Sequence, residues 1–329
     1  MENHFDVIII GGGAAGLTAG IYLSRAKLSA LILNEGAIGG QMVLTHEIAN
    51  YPGIENISGY ELARNMKAQA QKFGCVIKSN VKISEMNLSE EIKRVVVGGK
   101  DVFTSHAVII ATGGKSRTIG AIREDEFKGK GISYCATCDG DFFQDKEIIV
   151  VGGGNSAIEE AVSLTKYASK VTVVHQFDHF QALEKYVEEA KNNPKINFIM
   201  ETKITEFVGV EKLESVKIQN QRTNETTEMK IDGVFIFIGY VPNTEKLNGI
   251  VGLNEREEIV VDENMSTNVK GVYAAGDSIN KHYRQVTTAV ADGTIAALSA
   301  AEYVNNYKID SAAIEIIDGS IQNHTEKLH

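Results

Sequence analysis

A chain of 329 residues is longer than one ordinary hydrophobic core organises, which predicts two domains. A net charge of −10 excludes a protein that neutralises nucleic-acid phosphates in bulk, and three cysteines are too few for a secreted disulfide framework. No apolar run is long enough to span a bilayer. The start carries Asp6 and lacks the basic and apolar regions of a signal peptide, so the expected location is the cytoplasm.

The Val/Ile-rich run over 5–10 reads as a buried strand. A turn follows at 11–16, then a helix over 14–25 and a strand over 30–33. The turn is Gly11-Gly12-Gly13-Ala14-Ala15-Gly16, a full G-x-G-x-x-G. Glu35 follows at the end of the second strand, near the spacing of an acid that hydrogen-bonds a ribose. Such glycines let backbone approach a pyrophosphate, and the helix N-terminus receives its charge. Strand, turn, helix, strand and acid in this order predict a dinucleotide site. A helix over 59–73, short strands between 76 and 104, and a buried strand over 107–110 come next.

A second βαβ unit begins with a strand over 147–151. Its turn is Gly152-Gly153-Gly154-Asn155-Ser156-Ala157, a G-x-G-x-x-A, followed by a helix over 157–167 and a strand over 171–174. A surface helix over 182–191 and a buried strand over 234–238 complete this region. The breaker Gly239-Tyr240-Val241-Pro242 suits a crossing back. A short strand ends at Gly276-Asp277, and a helix is expected over 285–305. The polar residues 311–329 are set aside as a tail. The fold class is therefore α/β, with two Rossmann-like dinucleotide-binding domains, the second inserted into the first. The expected boundaries are 1–117 with 246–310, and 118–245.

Between the glycine turns lies Cys135-Ala136-Thr137-Cys138-Asp139-Gly140. Two cysteines at this spacing can open and close a small disulfide, and the neighbouring acid can protonate a leaving sulfur. The competing reading is half a zinc site. No second Cys pair or Cys/His pair at ligand spacing accompanies it, so no metal is expected. Cys75 reads as a buried structural thiol.

These motifs together resemble the low-molecular-weight thioredoxin reductase family over nearly the whole chain. The matching stretches also include Gly39-Gly40-Gln41, Asn50-Tyr51-Pro52-Gly53, Ala111-Thr112-Gly113 and Tyr283-Arg284-Gln285. The resemblance implies a homodimer with FAD in the split domain and thioredoxin as partner. It places Gly11, Gly13 and Gly16 at the FAD pyrophosphate, and Glu35 at the ribose. Gln41 and Asn50 match positions near the flavin, and Gly276 and Asp277 the ribityl and phosphate region. Arg284 and Gln285 match positions beside the isoalloxazine. Cys138 would be the sulfur nearer the flavin, Cys135 the attacker of the partner's disulfide, and Asp139 the acid.

One stretch departs from the family. Its pattern after the second strand of the inserted domain is His-Arg-Arg, with a further Arg four residues on, and these arginines read the 2′-phosphate of NADPH. Here the stretch is His175-Gln176-Phe177-Asp178-His179-Phe180-Gln181. Between Thr118 and Glu245 there are 14 Lys+Arg against 21 Asp+Glu, a field that repels an anionic cofactor. Some relatives in the family resemble this chain in lacking the arginines and take electrons from reduced ferredoxin, so the resemblance implies ferredoxin as the expected donor. Gly152, Gly154 and Ala157 then form a vestigial nucleotide turn. NADPH or NADH as donor is the alternative, and a flavin-dependent dithiol oxidase using oxygen is another.

Overall fold

A computed structural model describes residues 3–45 and 47–325. The chain divides into two compact units, one of residues 1–43, 59–114 and 242–329, the other of 44–58 and 115–241. The first unit opens with β1 (His4–Ile10), α1 (Ala14–Arg25) and β2 (Ala30–Asn34). It continues through α2 (Gly59–Lys72), β3 (Val76–Ser79), β4 (Ile83–Asn87), β5 (Lys93–Val97) and β6 (Asp101–Ile110), and β7 (Gly114–Ser116) follows. The second unit holds β8 (Ile132–Ser133), a single helical turn α3 (Ala136–Asp139), β9 (Glu147–Val151), α4 (Asn155–Leu164), β10 (Lys170–Val174), α5 (Glu184–Lys191) and β11 (Ile196–Ile199). Then come β12 (Thr202–Gly209), β13 (Leu213–Asn220), β14 (Thr226–Lys230) and β15 (Gly233–Ile236). After β16 (Tyr240–Pro242), β17 (Val272–Ala274) and α6 (Val286–Thr325) belong to the first unit.

In the first unit the strand order is β3-β2-β1-β6-β5-β4, with β17 also paired to β6. β1 pairs in parallel with β2 and β6, and β17 lies parallel to the end of β6, Val272 opposite Val108. The lower part of β6 instead takes β5 antiparallel, Val97 opposite Asp101. One side of the sheet packs Ile8, Leu31, Val108 and Val272 together. α1 is small and buried over most of its length, and it packs against α2 and α6. The site of a Cβ on Gly20 would lie 2.8 Å from Cys75 Sγ, so Cys75 fills the space beside the helix. Burial pushes that thiol up to about 12, which keeps it protonated and inert at neutral pH.

The second unit has a parallel sheet in the order β11-β10-β9-β15-β8 and a separate antiparallel sheet β12-β13-β14. Alternate residues of β9 explain its apolar run. Ile148 and Val150 enter one core with Ile158 and Phe235, while Ile149 and Val151 enter another with Phe127 and Phe207. Both faces of a parallel strand are covered, so the sequence alternates nothing.

One expectation is corrected at the C-terminus. α6 does not stop near Asn305 but runs to Thr325, through most of the residues set aside as a tail. Its later part contains no proline, and Ala, Ile, Glu and Lys sustain a helix at little cost despite Gly319. Residues 326–329 of that expected tail lie outside the described residues.

Candidate active site

The first glycine turn is built by close backbone approaches. Gly11 has φ +110°, and a Cβ there would sit 2.1 Å from Ala111 O at the end of β6. A Cβ on Gly16 would lie 2.0 Å from Gly11 O, so the first turn of α1 rests directly on the loop. Gly13 is different. Nothing lies within 4 Å of its absent Cβ, and no side chain caps α1 there. The uncapped amides at the start of α1 therefore open towards a ligand.

The turn is braced by Asn34, which sequence reasoning missed. Its Oδ1 accepts the Gly12 N–H at 2.8 Å, and its Nδ2 donates to Gly36 O and Ala37 O. Glu35 Oε1 accepts from Ile83 N at 2.9 Å and from Lys246 Nζ. Gln41 is exposed in a short 3-10 turn of the first unit, and Asn50 is exposed in the segment that groups with the second.

Asp277 follows β17. Its Oδ1 is buried without a hydrogen-bond partner among the described residues, and burial holds its carboxyl above the usual range. Lys281 Nζ stands 3.9 Å away, beyond hydrogen-bond reach. Arg284 is ion-paired with Glu258, and its Nε donates to Asp277 O at 3.4 Å. The backbone N–H of Gln285 donates to Thr288 Oγ1. Thr112 Oγ1 is a second buried oxygen with no partner among the described residues. An open glycine cradle, an uncapped helix start and orphaned polar oxygens in one unit fit a dinucleotide with a pyrophosphate and hydroxyls to be satisfied.

In the second unit Cys135 and Cys138 are joined in a disulfide, their Cα atoms 5.3 Å apart. Cys135 caps α3, and the Cys138 N–H points at Cys135 Sγ at 3.1 Å. After reduction that donor favours a thiolate on Cys135. Asp139 is largely buried, and burial holds its carboxyl above the ordinary range against the opposing hydrogen bond from Ser133. Ser133, unnoticed in the sequence, organises the loop. Its hydroxyl donates to Asp139 Oδ2 at 2.6 Å and accepts the Cys135 N–H at 3.1 Å. Tyr134, on the other side, donates its hydroxyl to buried Glu124 at 2.7 Å, and Glu124 also accepts the Gly120 N–H. Phe142 is exposed just beyond the loop.

The second glycine turn keeps its backbone form. A Cβ on Gly152 would lie 2.4 Å from Phe237 O and 2.8 Å from Ala157 Cβ, whereas Gly154 is open. The loop after β10 lies over this turn. The His175 ring would be 2.3 Å from a Cβ on Gly153, and the Gln181 N–H donates to Gly153 O at 2.8 Å. Asn155 Oδ1 accepts the Leu183 N–H. Burial lowers the His175 pKa, which keeps the ring neutral. Gln176 O is held by Gln221 Nε2, and Phe177 is exposed. Arg222, whose charge reaches Asp178, is ion-paired with Glu201 at 2.7 Å. Among the described residues no group of His, Cys, Asp or Glu is placed to hold a metal ion, and no helix is long and apolar enough to cross a membrane.

A dinucleotide cradle, a second nucleotide turn and a two-cysteine disulfide on an α/β frame define a flavoprotein disulfide oxidoreductase. Residues 5–293 match the family of pyridine nucleotide-disulphide oxidoreductases. The chain is 45% identical over 311 residues to a thioredoxin reductase of Peptoclostridium acidaminophilum, covering 92% of this chain and 98% of that protein. A "34.2 kDa protein in rubredoxin operon" of Clostridium pasteurianum is 44% identical over 304 residues, with 92% and 98% covered. The crystal structure of thioredoxin reductase from Streptococcus pyogenes superposes with a TM-score of 0.90 at 38% identity, covering 93% of this chain and all of that one (100%). The chain belongs to the low-molecular-weight thioredoxin reductase family, whose cofactor is FAD.

Proposed function

We propose that this chain is a cytoplasmic homodimeric reductase in which electrons from reduced ferredoxin, rather than NADPH, reach the Cys135–Cys138 pair and then the disulfide of thioredoxin. In this reading the first unit holds FAD. Gly11, Gly13 and Gly16 line its pyrophosphate, and Asp277 and Gly276 meet its ribityl and phosphate region. Glu35 faces the ribose with its remaining oxygen, and Gln41, Asn50, Arg284 and Gln285 lie near the flavin. When bound, FAD takes up electrons singly or in pairs and delivers two to the disulfide. Ile295 and Leu298, three apart on α6 and both exposed, support pairing of two copies.

The residues of the dithiol loop then perform an exchange. Cys135 thiolate attacks one sulfur of the partner's disulfide and forms a mixed disulfide, and the partner's other sulfur leaves as a thiolate. Asp139 protonates it. Cys138 thiolate attacks Cys135 Sγ, which closes the internal disulfide and frees the second partner thiol. Two electrons and two protons reach the partner, so two one-electron ferredoxins serve each turn. Exposed Phe142, seven residues after Cys135, gives the partner an apolar foothold on the same unit. Because burial raises the Asp139 pKa, the rate should fall as pH rises through that value. Asp139→Asn should lower thioredoxin turnover by roughly 10²-fold, in the range of general acid catalysis, and abolish that alkaline fall. An unchanged pH–rate profile in the variant would remove the acid role.

The donor rests on one observation, the cation-poor loop that covers the second glycine turn. Gln176, Phe177 and Gln181 stand where the family carries arginines, and Arg222 is already paired with Glu201. The test is an anaerobic titration that follows the oxidised flavin band. NADPH and NADH should leave it unchanged, and reduced ferredoxin should bleach it in a way that thioredoxin reverses. Bleaching by low NADPH or NADH would return the donor to a nicotinamide. Bleaching by a small dithiol alone would favour the oxidase reading.

A further inference from the structure

Asp277 sits between two cations that are both held by other acids. Arg284 is paired with buried Glu258. Lys281 is hydrogen-bonded to Asp292 on α6, and both of these side chains are nearly buried, at 12% and 13% exposure. Lys281 Nζ remains 3.9 Å from Asp277 Oδ1, which has no hydrogen bond among the described residues. The same Asp292 Oδ2 accepts the Gly276 N–H at 3.2 Å, where the chain turns with φ +80°. Next to Asp292, a Cβ on Gly293 would lie 2.3 Å from Ala15 O, so this part of α6 is seated on the first turn of α1.

We infer that Asp292 is a positioning residue for the flavin cradle: it detains Lys281 and so keeps the Asp277 carboxylate available to the cofactor. This rests on the assignment of Asp277 to FAD made above. A nearly buried ammonium does not stay unpaired. Were Asp292 neutral, the anion left within reach of Lys281 is Asp277. Closing a 3.9 Å gap takes only a rotamer change, and the resulting ion pair would occupy the Asp277 oxygen that now has no hydrogen bond among the described residues. Burial raises the Asp277 pKa, Lys281 and Arg284 draw it down, and the Asp292 charge adds a smaller rise.

The experiment measures the dissociation constant of FAD for apoprotein by quenching of flavin fluorescence. Asp292→Asn should weaken binding about tenfold, the size of a hydrogen bond to a charged group. Adding Lys281→Met should restore it to within about threefold of wild type, because the ion pair is then replaced as a unit and Asp277 is released. A double variant as weak as the single one would mean that Asp292 acts only by holding Gly276, and would overturn the inference. So would a single variant of wild-type affinity. Where the single variant does not fold, the double variant carries the test, since a tenfold loss in it has the same meaning. Wild-type affinity in Asp277→Asn would instead sink the assignment of Asp277 on which the inference stands.

Discussion

Cys135→Ser should abolish thioredoxin reduction while leaving the yellow flavoprotein intact. The loss expected is roughly 10³-fold or more, because removing the attacking sulfur removes the covalent path itself rather than one contribution to it. FAD binding should survive, since the cradle of Gly11, Gly13 and Asp277 is built in the first unit and Cys135 belongs to the second. Cys138→Ser should give a different result. Cys135 remains able to attack, but nothing resolves the product, so a mixed disulfide with thioredoxin should accumulate and be visible on a non-reducing gel. The Cys138 N–H that points at Cys135 Sγ comes from the backbone and persists in that variant. Near-normal turnover in Cys135→Ser, or trapping by Cys135 and Cys138 variants alike, would reverse or remove the assigned roles.

The triple change Gln176→Arg, Phe177→Arg and Gln181→Arg should raise NADPH affinity by about 100-fold or more. Each hydrogen bond to a charged phosphate contributes roughly 1.5–3 kcal/mol, and guanidinium matches phosphate geometry. Full additivity is not expected of neighbours that share one ligand. The backbone can accept the change. Gln181 holds Gly153 through its N–H and Gln176 is held through its carbonyl, so neither bond involves the replaced side chain. Phe177 is exposed and gives up an edge contact with the His175 ring and a stacked contact with the His179 ring. The readout is flavin bleaching by NADPH in the absence of ferredoxin. No gain would mean that the loop over Gly153 closes the site by its backbone course as well as by its charges.

The parts of this protein that could be read in its sequence are those with a local physical cause. Both glycine turns declare themselves because close backbone approach tolerates no Cβ, as at Gly11 against Ala111. The runs Val7–Ile10 of β1 and Ile148–Val151 of β9 are apolar without alternation because both faces are covered there. The antiparallel strands β12 to β14 are half-exposed and mixed in composition, and they left no such mark. The residues that tune the sites were also silent. Asn34, Ser133, Glu124, Lys281 and Asp292 are ordinary polar residues until the fold brings a partner to them. Glu35 was found from its spacing, yet its tie to Lys246 spans most of the chain and has no signature. The departure at Gln176, Phe177 and Gln181 was legible only against the family's pattern, since nothing intrinsic marks a missing arginine.

The pairing of β17 with β6 has a consequence for synthesis. Val108 and Val272 are neighbours in one sheet, and α1 packs on α6, but residues 115–241 of the second unit are made between Val108 and Val272. Loop closure across that stretch costs little more than across a shorter one, because the penalty grows only logarithmically. The ordering in time is less forgiving. During translation the parallel sheet of the second unit is complete once β15 has emerged, whereas the edge of β6 stays bare until the last quarter of the chain arrives. An uncovered strand edge is an invitation to pair with other nascent chains. The chain therefore completes the parallel sheet of the second unit first and covers the upper edge of β6 only in the last seconds of synthesis, at roughly 5–20 residues per second.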